Sequence, residues 1–109
     1  MQSNGIFIFH DHSDTVNDGE IFINPNTEEI TIDITGTAQS FEVIFEGKVN
    51  NDSEWSPIMF GNLNDLSLDT KATKLNTQWQ NEISGYGYFR VKITNISGGY
   101  LTIKGRLKY

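Results

Sequence analysis

The sequence predicts an all-β chain: an antiparallel two-sheet β-sandwich of eight to nine short strands, forming one domain over 1–109. Three observations carry this. Apolar residues recur with period two along most of the chain, the pattern of strands with one buried and one wetted face. No window of about a dozen residues sets apolar side chains at i, i+3, i+4 and i+7, as an amphipathic helix requires. Turn signals such as NDG, NPNT, VNNDS and SGYG punctuate the chain at short intervals. A small closed barrel is the alternative arrangement of the same strands.

The first predicted strand, 5–10, does not alternate: Ile6, Phe7, Ile8 and Phe9 are all apolar. It is read as a central strand covered on both faces, or as one whose second face meets another subunit. A less regular strand follows at 19–24. Ile30, Ile32 and Ile34 then alternate with Thr31, Asp33 and Thr35, and Phe41, Val43 and Phe45 alternate with Glu42, Ile44 and Glu46. Weaker strands are expected at 56–60, 65–71 and 77–83. The closing stretch FRVKITNISGGYLTIKGRLKY, 89–109, reads as a hairpin about Gly98 and Gly99, burying Phe89, Val91, Ile93, Leu101, Ile103 and Leu107. Phe45, Val91 and Ile103, at mid-strand with polar neighbours, are expected among the best-buried residues. No repeat, low-complexity tract or linker interrupts the chain.

Hydrophobic residues make up 37% and aromatic residues 12%, enough for one modest core and too much for disorder. Without cysteine there is no disulfide or thiolate metal site, which fits a reducing compartment. The N-terminus MQSNGIFIFH has no basic region and too short an apolar run for a signal or a span, so a cytoplasmic protein is expected. A net charge of −6 argues against nucleic acid as partner. That charge is uneven: residues 1–54 hold eleven acids against one lysine, whereas 55–109 hold three acids against seven bases. Arg90, Lys92, Lys104, Arg106 and Lys108, five of the eight bases, fall on one side of the last two strands. These five are candidates for one patch of an oligomer interface, with Asp33, Glu42 and Glu46 as its acidic counterpart. Cross-strand pairing within one subunit, or plain solvation, accounts for the same charges; an anionic membrane surface is a further partner for such a face.

Chemistry is sparse. In HDHSD, His10 and His12 fall on one strand face with Asp11 and Asp14 nearby, but no recognised spacing supplies a third ligand. Asp14, Asp18 and Glu20, or Asp52 and Glu54, are oxygen donors without a calcium-loop spacing. No metal and no cofactor are therefore expected. No Cys nucleophile, G-x-S-x-G elbow, H-E-x-x-H or phosphate-cradling glycine loop is present. Glu42 and Glu46 share a face but stand roughly 13 Å apart along an extended strand, too far for a glycosidase pair. A non-enzymatic protein without catalytic residues is expected. Trp55, Trp79, Tyr86, Tyr88 and Tyr100 lie near strand ends, where aromatic rings either cap the core or stack on sugars.

From about Phe41 to Lys108 the chain resembles the XepA/YomS family of small prophage β-sandwich modules. The resemblance rests on Trp55-Ser-Pro57-Ile58, on Asn62-Leu63 followed by Leu66-Ser-Leu68, and on the final Gly98-Gly99 turn. It implies a sandwich similar in shape to C2 domains, assembled as a pentameric disc and encoded among prophage lysis genes, with no catalytic residues. The chain departs from the family's longer member in lacking a second sandwich domain and linker, and from calcium-dependent C2 domains in lacking a clustered Asp motif. Membrane lysis by this chain alone is not implied. The expected function is a self-assembling, lysis-associated accessory or structural component. It would reside in the host bacterial cytoplasm, at the inner membrane surface or in the virion, with other phage proteins as further partners. The alternative is a virion decoration or receptor-binding module recognising cell-surface carbohydrate.

Overall fold

The structure, a computed structural model, describes residues 5–24 and 27–108, so the middle of the NPNT turn signal lies outside the described residues. The strands in chain order are β1 (Ile6–Ser13), β2 (Phe22–Ile23), β3 (Glu29–Gly36), β4 (Ser40–Lys48), β5 (Ser56–Pro57), β6 (Phe60–Asn62), β7 (Leu68–Asp69), β8 (Lys71–Ala72), β9 (Thr77–Glu82), β10 (Tyr88–Ser97) and β11 (Leu101–Lys108). They form two packed antiparallel sheets. One has six strands in the order β1-β11-β3-β9-β6-β7; the other has the order β2-β10-β4-β5, with β8 also paired to β4. The arrangement is the expected sandwich and not a closed barrel.

The long strands follow the alternation seen in the sequence. Ile30, Ile32 and Ile34 of β3 face Val43 and Phe45 of β4 across the sandwich, and all are fully buried. Phe45, Val91 and Ile103 are each 0% exposed, as expected. Aromatic rings knit the two layers: Phe45 stacks on Phe60 at 4.6 Å, Phe60 on Phe89 at 5.4 Å, and Phe89 meets Phe9 edge-on at 5.5 Å. Burying such side chains contributes roughly 1.5–3 kcal/mol each, set against the entropy of ordering the chain.

Three expectations are corrected. The last two strands are not a paired hairpin. β10 pairs with β4 and β2, whereas β11 pairs with β1 and β3 in the other sheet. The Gly98-Gly99 turn is an arch that carries the chain across the sandwich. A second arch, 36–40, carries β3 into β4 beside it, and the two are bonded together. Thr37 and Ala38 N–H groups both donate to the Tyr100 carbonyl, and Gln39 N–H donates to the Ser97 carbonyl. This contact requires glycine. Gly36 (φ 135°) and Gly99 (φ 146°) are in left-handed territory, and a Cβ on Gly99 would lie 2.5 Å from Thr37 Oγ1.

The first strand is an edge strand, not a central one. Phe7 and Phe9 point inward, whereas Ile6 and Ile8 are 40% and 45% exposed on the outer face. The stretches read as strands at 56–60 and 65–71 are each broken in two, because the chain changes sheet within them. β5 lies in the sheet of β4 and β6 in the sheet of β9; β7 and β8 are divided in the same way. Ile58 N–H donates to the Phe45 carbonyl and Phe45 N–H to the Thr70 carbonyl, which pins both crossings to the middle of β4.

Candidate functional site: the two charged outer faces

Because β10 and β11 lie in different sheets, the five basic residues do not share a face. Arg90 and Lys92 project from the β10–β4 layer; Lys104, Arg106 and Lys108 project from the β11–β3 layer. The single basic patch expected from the alternation is thus divided between opposite sides of the sandwich.

On the β10–β4 face the charges are paired within the chain. The register sets Arg90 opposite Glu46, and Arg90 Nε donates to Glu46 Oε1 at 2.9 Å, with both side chains largely buried. Asp18 approaches Arg90 Nη1 at 3.4 Å and Lys92 Nζ at 3.9 Å. Glu42 accepts a hydrogen bond from Thr94 Oγ1 at 2.8 Å and stands 4.0 Å from Lys71 Nζ. The sequence pairs Asp18 with calcium only as an untyped donor; the fold uses it as a counterion. Arg90 also lies over Trp55, its guanidinium carbon 4.0 Å from the ring centroid, and Lys48 Nζ is 5.0 Å from Trp55 and 5.3 Å from Tyr88. One face of Trp55 is therefore already covered by cations.

The other aromatic candidates disperse. Trp79 is only 5% exposed and donates its indole N–H to Thr77 Oγ1, so it is a core residue and offers no ring to a sugar. Tyr86 packs against the core, and Tyr100 lies against His12 with centroids 4.4 Å apart.

HDHSD does not gather its ligands. Register shifts on either side of His10 break the regular alternation, so the two imidazoles face differently. His10 is 3% exposed, and its Nε2–H donates to the Val91 carbonyl at 2.6 Å while Nδ1 accepts from Ser13 Oγ at 3.1 Å. Beyond β2 the strand β10 has lost its sheet neighbour on that side, and the imidazole supplies the missing donor between the Phe22 pairing and the Asn17–Ile93 bridge. Burial lowers the His10 pKa, with the Val91 bond and Glu20 opposing it, and the neutral ring is what this geometry uses. His12 is exposed beside Asp11, at 2.7 Å. Among the described residues no three His, Cys, Asp or Glu side chains stand together as a metal site.

The β11–β3 face is different. Lys104 stands opposite Asp33 and Arg106 opposite Thr31, and these residues with Ile6 and Gln78 line a shallow depression of about 370 Å³. Among the described residues no ion pair joins Lys104 to Asp33. At the far edge of the same sheet the β6–β7 hairpin exposes Leu63 and Leu66 in its loop and Leu68 at the start of β7. Sequence reasoning missed these leucines as surface residues, because L-S-L reads as a half-buried strand. Leu66 instead takes φ 65°, and Ser67, donating from its hydroxyl and its N–H, fastens the turn to Asp65 and lowers the carboxyl pKa. Asn24 was missed as well: its amide group donates to the Thr27, Ile83 and Tyr86 carbonyls, joining the β2–β3 loop to the β9–β10 loop.

The fold and these surfaces define a small antiparallel β-sandwich module whose distinguishing features lie on its outer faces and sheet edges. The XepA family model matches residues 4–107, and the chain belongs to that family. It is 26% identical to the SPbeta prophage-derived uncharacterized protein YomS of Bacillus subtilis (strain 168), over 91% of this chain and 82% of YomS. It is 25% identical to the phage-like element PBSX protein XepA of the same strain, over 91% of this chain but only 35% of XepA. The YomS crystal structure superposes with a TM-score of 0.88 over 94% of this chain and 89% of that one. That of XepA, described as a PBSX exported protein, superposes with a TM-score of 0.90 over 36% of its length. The chain is thus a phage-related module similar to about a third of the larger relative. No helix in the described residues is long and apolar enough to cross a membrane.

Proposed function

We propose that this chain is a non-enzymatic prophage protein that self-assembles into a cyclic oligomer, pentameric by the family resemblance, and acts as an accessory or structural component associated with host lysis. The observation that carries the reading is the end-to-end match to YomS, which covers nearly all of both chains. A head-to-tail ring needs two different patches on each subunit. The apolar side chains at the two edges of the six-stranded sheet supply them without disturbing the paired charges of the other sheet. The larger relative is described as exported, so residence in the cytoplasm, at the membrane surface or in the virion is a matter for fractionation of phage-producing cells.

Light scattering over a concentration series tests the assembly. The expected result is a discrete mass several times 12.3 kDa with a β-type circular dichroism spectrum. A monomer at every concentration would end the reading, and glycan-array binding by such a monomer would favour a decoration or receptor-binding module instead.

A further inference from the structure

We propose that the β6–β7 hairpin of one copy, through Leu63 and Leu66 of its loop and Leu68 of β7, seats on the β1 edge of a second copy, against Ile6, Ile8 and Lys104. This deepens the assembly reading and rests on it.

The loop is built to present apolar side chains. Leu66 is 83% exposed, Leu68 70% and Leu63 44%. They are held there by a fastened turn: Leu66 N–H donates to the Asn62 carbonyl at 2.7 Å, Asn62 N–H donates to the Ser67 carbonyl at 2.8 Å, and Ser67 bonds Asp65 twice. A turn ordered before docking loses little entropy on docking. Its orientation follows from β6, where Phe60 and Asn62 point into the core and Gly61 points out. Leu68 Cδ2 lies 3.7 Å from where a Gly61 Cβ would stand, so Leu68 covers the outer side of the sheet.

The opposite edge complements it. Ile8 stands beside Lys104 and Ile6 beside Arg106, on the same outer side. The loop carries Asp65 and Asp69 and has no basic residue from 61 to 70, while Lys71 and Lys74 stand behind it in the cleft shared with those acids. Apolar therefore meets apolar, and acid meets base, when the loop of one copy reaches the β1 edge of another. β1 and β7 close the two ends of a six-stranded order, five strand spacings or about 24 Å apart, so one copy can use both edges at once. Two unlike patches on one chain make a heterologous contact, which extends beyond a dimer until it closes.

Two variants divide the contact: Leu66→Ser/Leu68→Ser removes the loop patch, and Ile8→Glu/Lys104→Glu removes the edge patch. All four positions are exposed, so each variant should keep the β spectrum. In analytical ultracentrifugation each should self-associate at least about tenfold more weakly than the wild type. Mixed in equal amounts they should form a one-to-one complex that grows no further, because each retains one working patch. Lys104→Glu alone, which leaves the apolar contact intact, should weaken association in a salt-dependent way. A wild type that associates while both variants keep its mass would place the contact elsewhere and leave the ring reading standing. A wild type that is monomeric at about 1 mM would remove both. If the loop variant instead lost binding to phosphatidylcholine vesicles with its self-association unchanged, the leucines would serve a bilayer and the proposal would fail.

Discussion

β10 and β11 follow each other in the chain, share an apolar–basic alternation, and differ in what their charges meet. On β10, Arg90 lies in a largely buried pair with Glu46, its side chain 11% exposed and that of Glu46 14% exposed. On β11, Lys104 and Arg106 are exposed beside a shallow depression, and Asp33 opposite Lys104 forms no ion pair with it among the described residues. Alternation decides which way a side chain points. The strands on either side decide what it meets, and those were set by the three residues of the arch between β10 and β11. The difference teaches that a charge pattern becomes a patch only after the sheet order is known.

The largest effect tests what the two faces share. Phe45 lies at the centre of the common core, against Phe60 and Trp79. Phe45→Ala should cost about 3–5 kcal/mol in urea unfolding, and a loss under about 1 kcal/mol would mean that the sheets do not depend on one core there. Next comes the 36–40 arch, which is bonded to the arch that separates β10 from β11. Gly36→Ala puts a Cβ into the Tyr100 carbonyl at a left-handed φ and should cost about 2–3 kcal/mol. Gly85→Ala, with open space around it, should change stability by less than about 0.5 kcal/mol. An equal response at both positions would break the account of why the strands part.

Smaller effects address the charges themselves. A double-mutant cycle on Arg90→Ala and Glu46→Ala should give a coupling of about 1–2 kcal/mol, and the same cycle on Lys104→Ala and Asp33→Ala less than about 0.5 kcal/mol. Equal couplings would remove the contrast between the faces. The smallest effect is that of pH on the imidazole that completes β10. The folded chain holds His10 below its ordinary pKa of 6.5, so as pH falls through that value the unfolded chain takes up the proton first. This contribution to stability is whole above about pH 6.5 and diminishes as pH falls below it. His10→Gln should flatten that slope relative to the wild type in unfolding curves taken across this range; an unchanged slope would show that the ring titrates freely.

Much of the fold was legible because the long strands are half-buried and alternate cleanly. Ile30 to Ile34, Phe41 to Phe45 and Phe89 to Ile93 bury the residues their pattern assigns to the core. The edges were not legible. Ile6 to Phe9 reads as a strand covered on both faces, but Ile6 and Ile8 lie on an outer face at the sheet edge, where apolar side chains need no cover within the subunit. Sheet changes inside 56–62 and 68–72 were hidden for a related reason: a chain that crosses the sandwich keeps enough apolar residues to resemble one continuous strand. The acids around residue 18 gave no sign of their role, since Asp18 meets Arg90 only once the loop before β2 has folded over β10. Among the surface features, the basic residues were identified correctly by type and misplaced by sheet.

The position of β11 bears on how the chain is made. Among the described residues β1 pairs only with β11, and β3 lies between β11 and β9. β1 therefore has no partner in its sheet until Leu101–Lys108 have been synthesised, whereas β3, β9, β6 and β7 can already pair with one another. During that interval Phe7 and Phe9 of β1 have no strand to hold them over the core, and a fold in which most contacts join distant parts of the sequence is expected to form slowly and to leave such side chains open to aggregation. Deleting Leu101–Lys108 would leave β1 and β3 without the neighbour they share while most of the core residues remain in the chain.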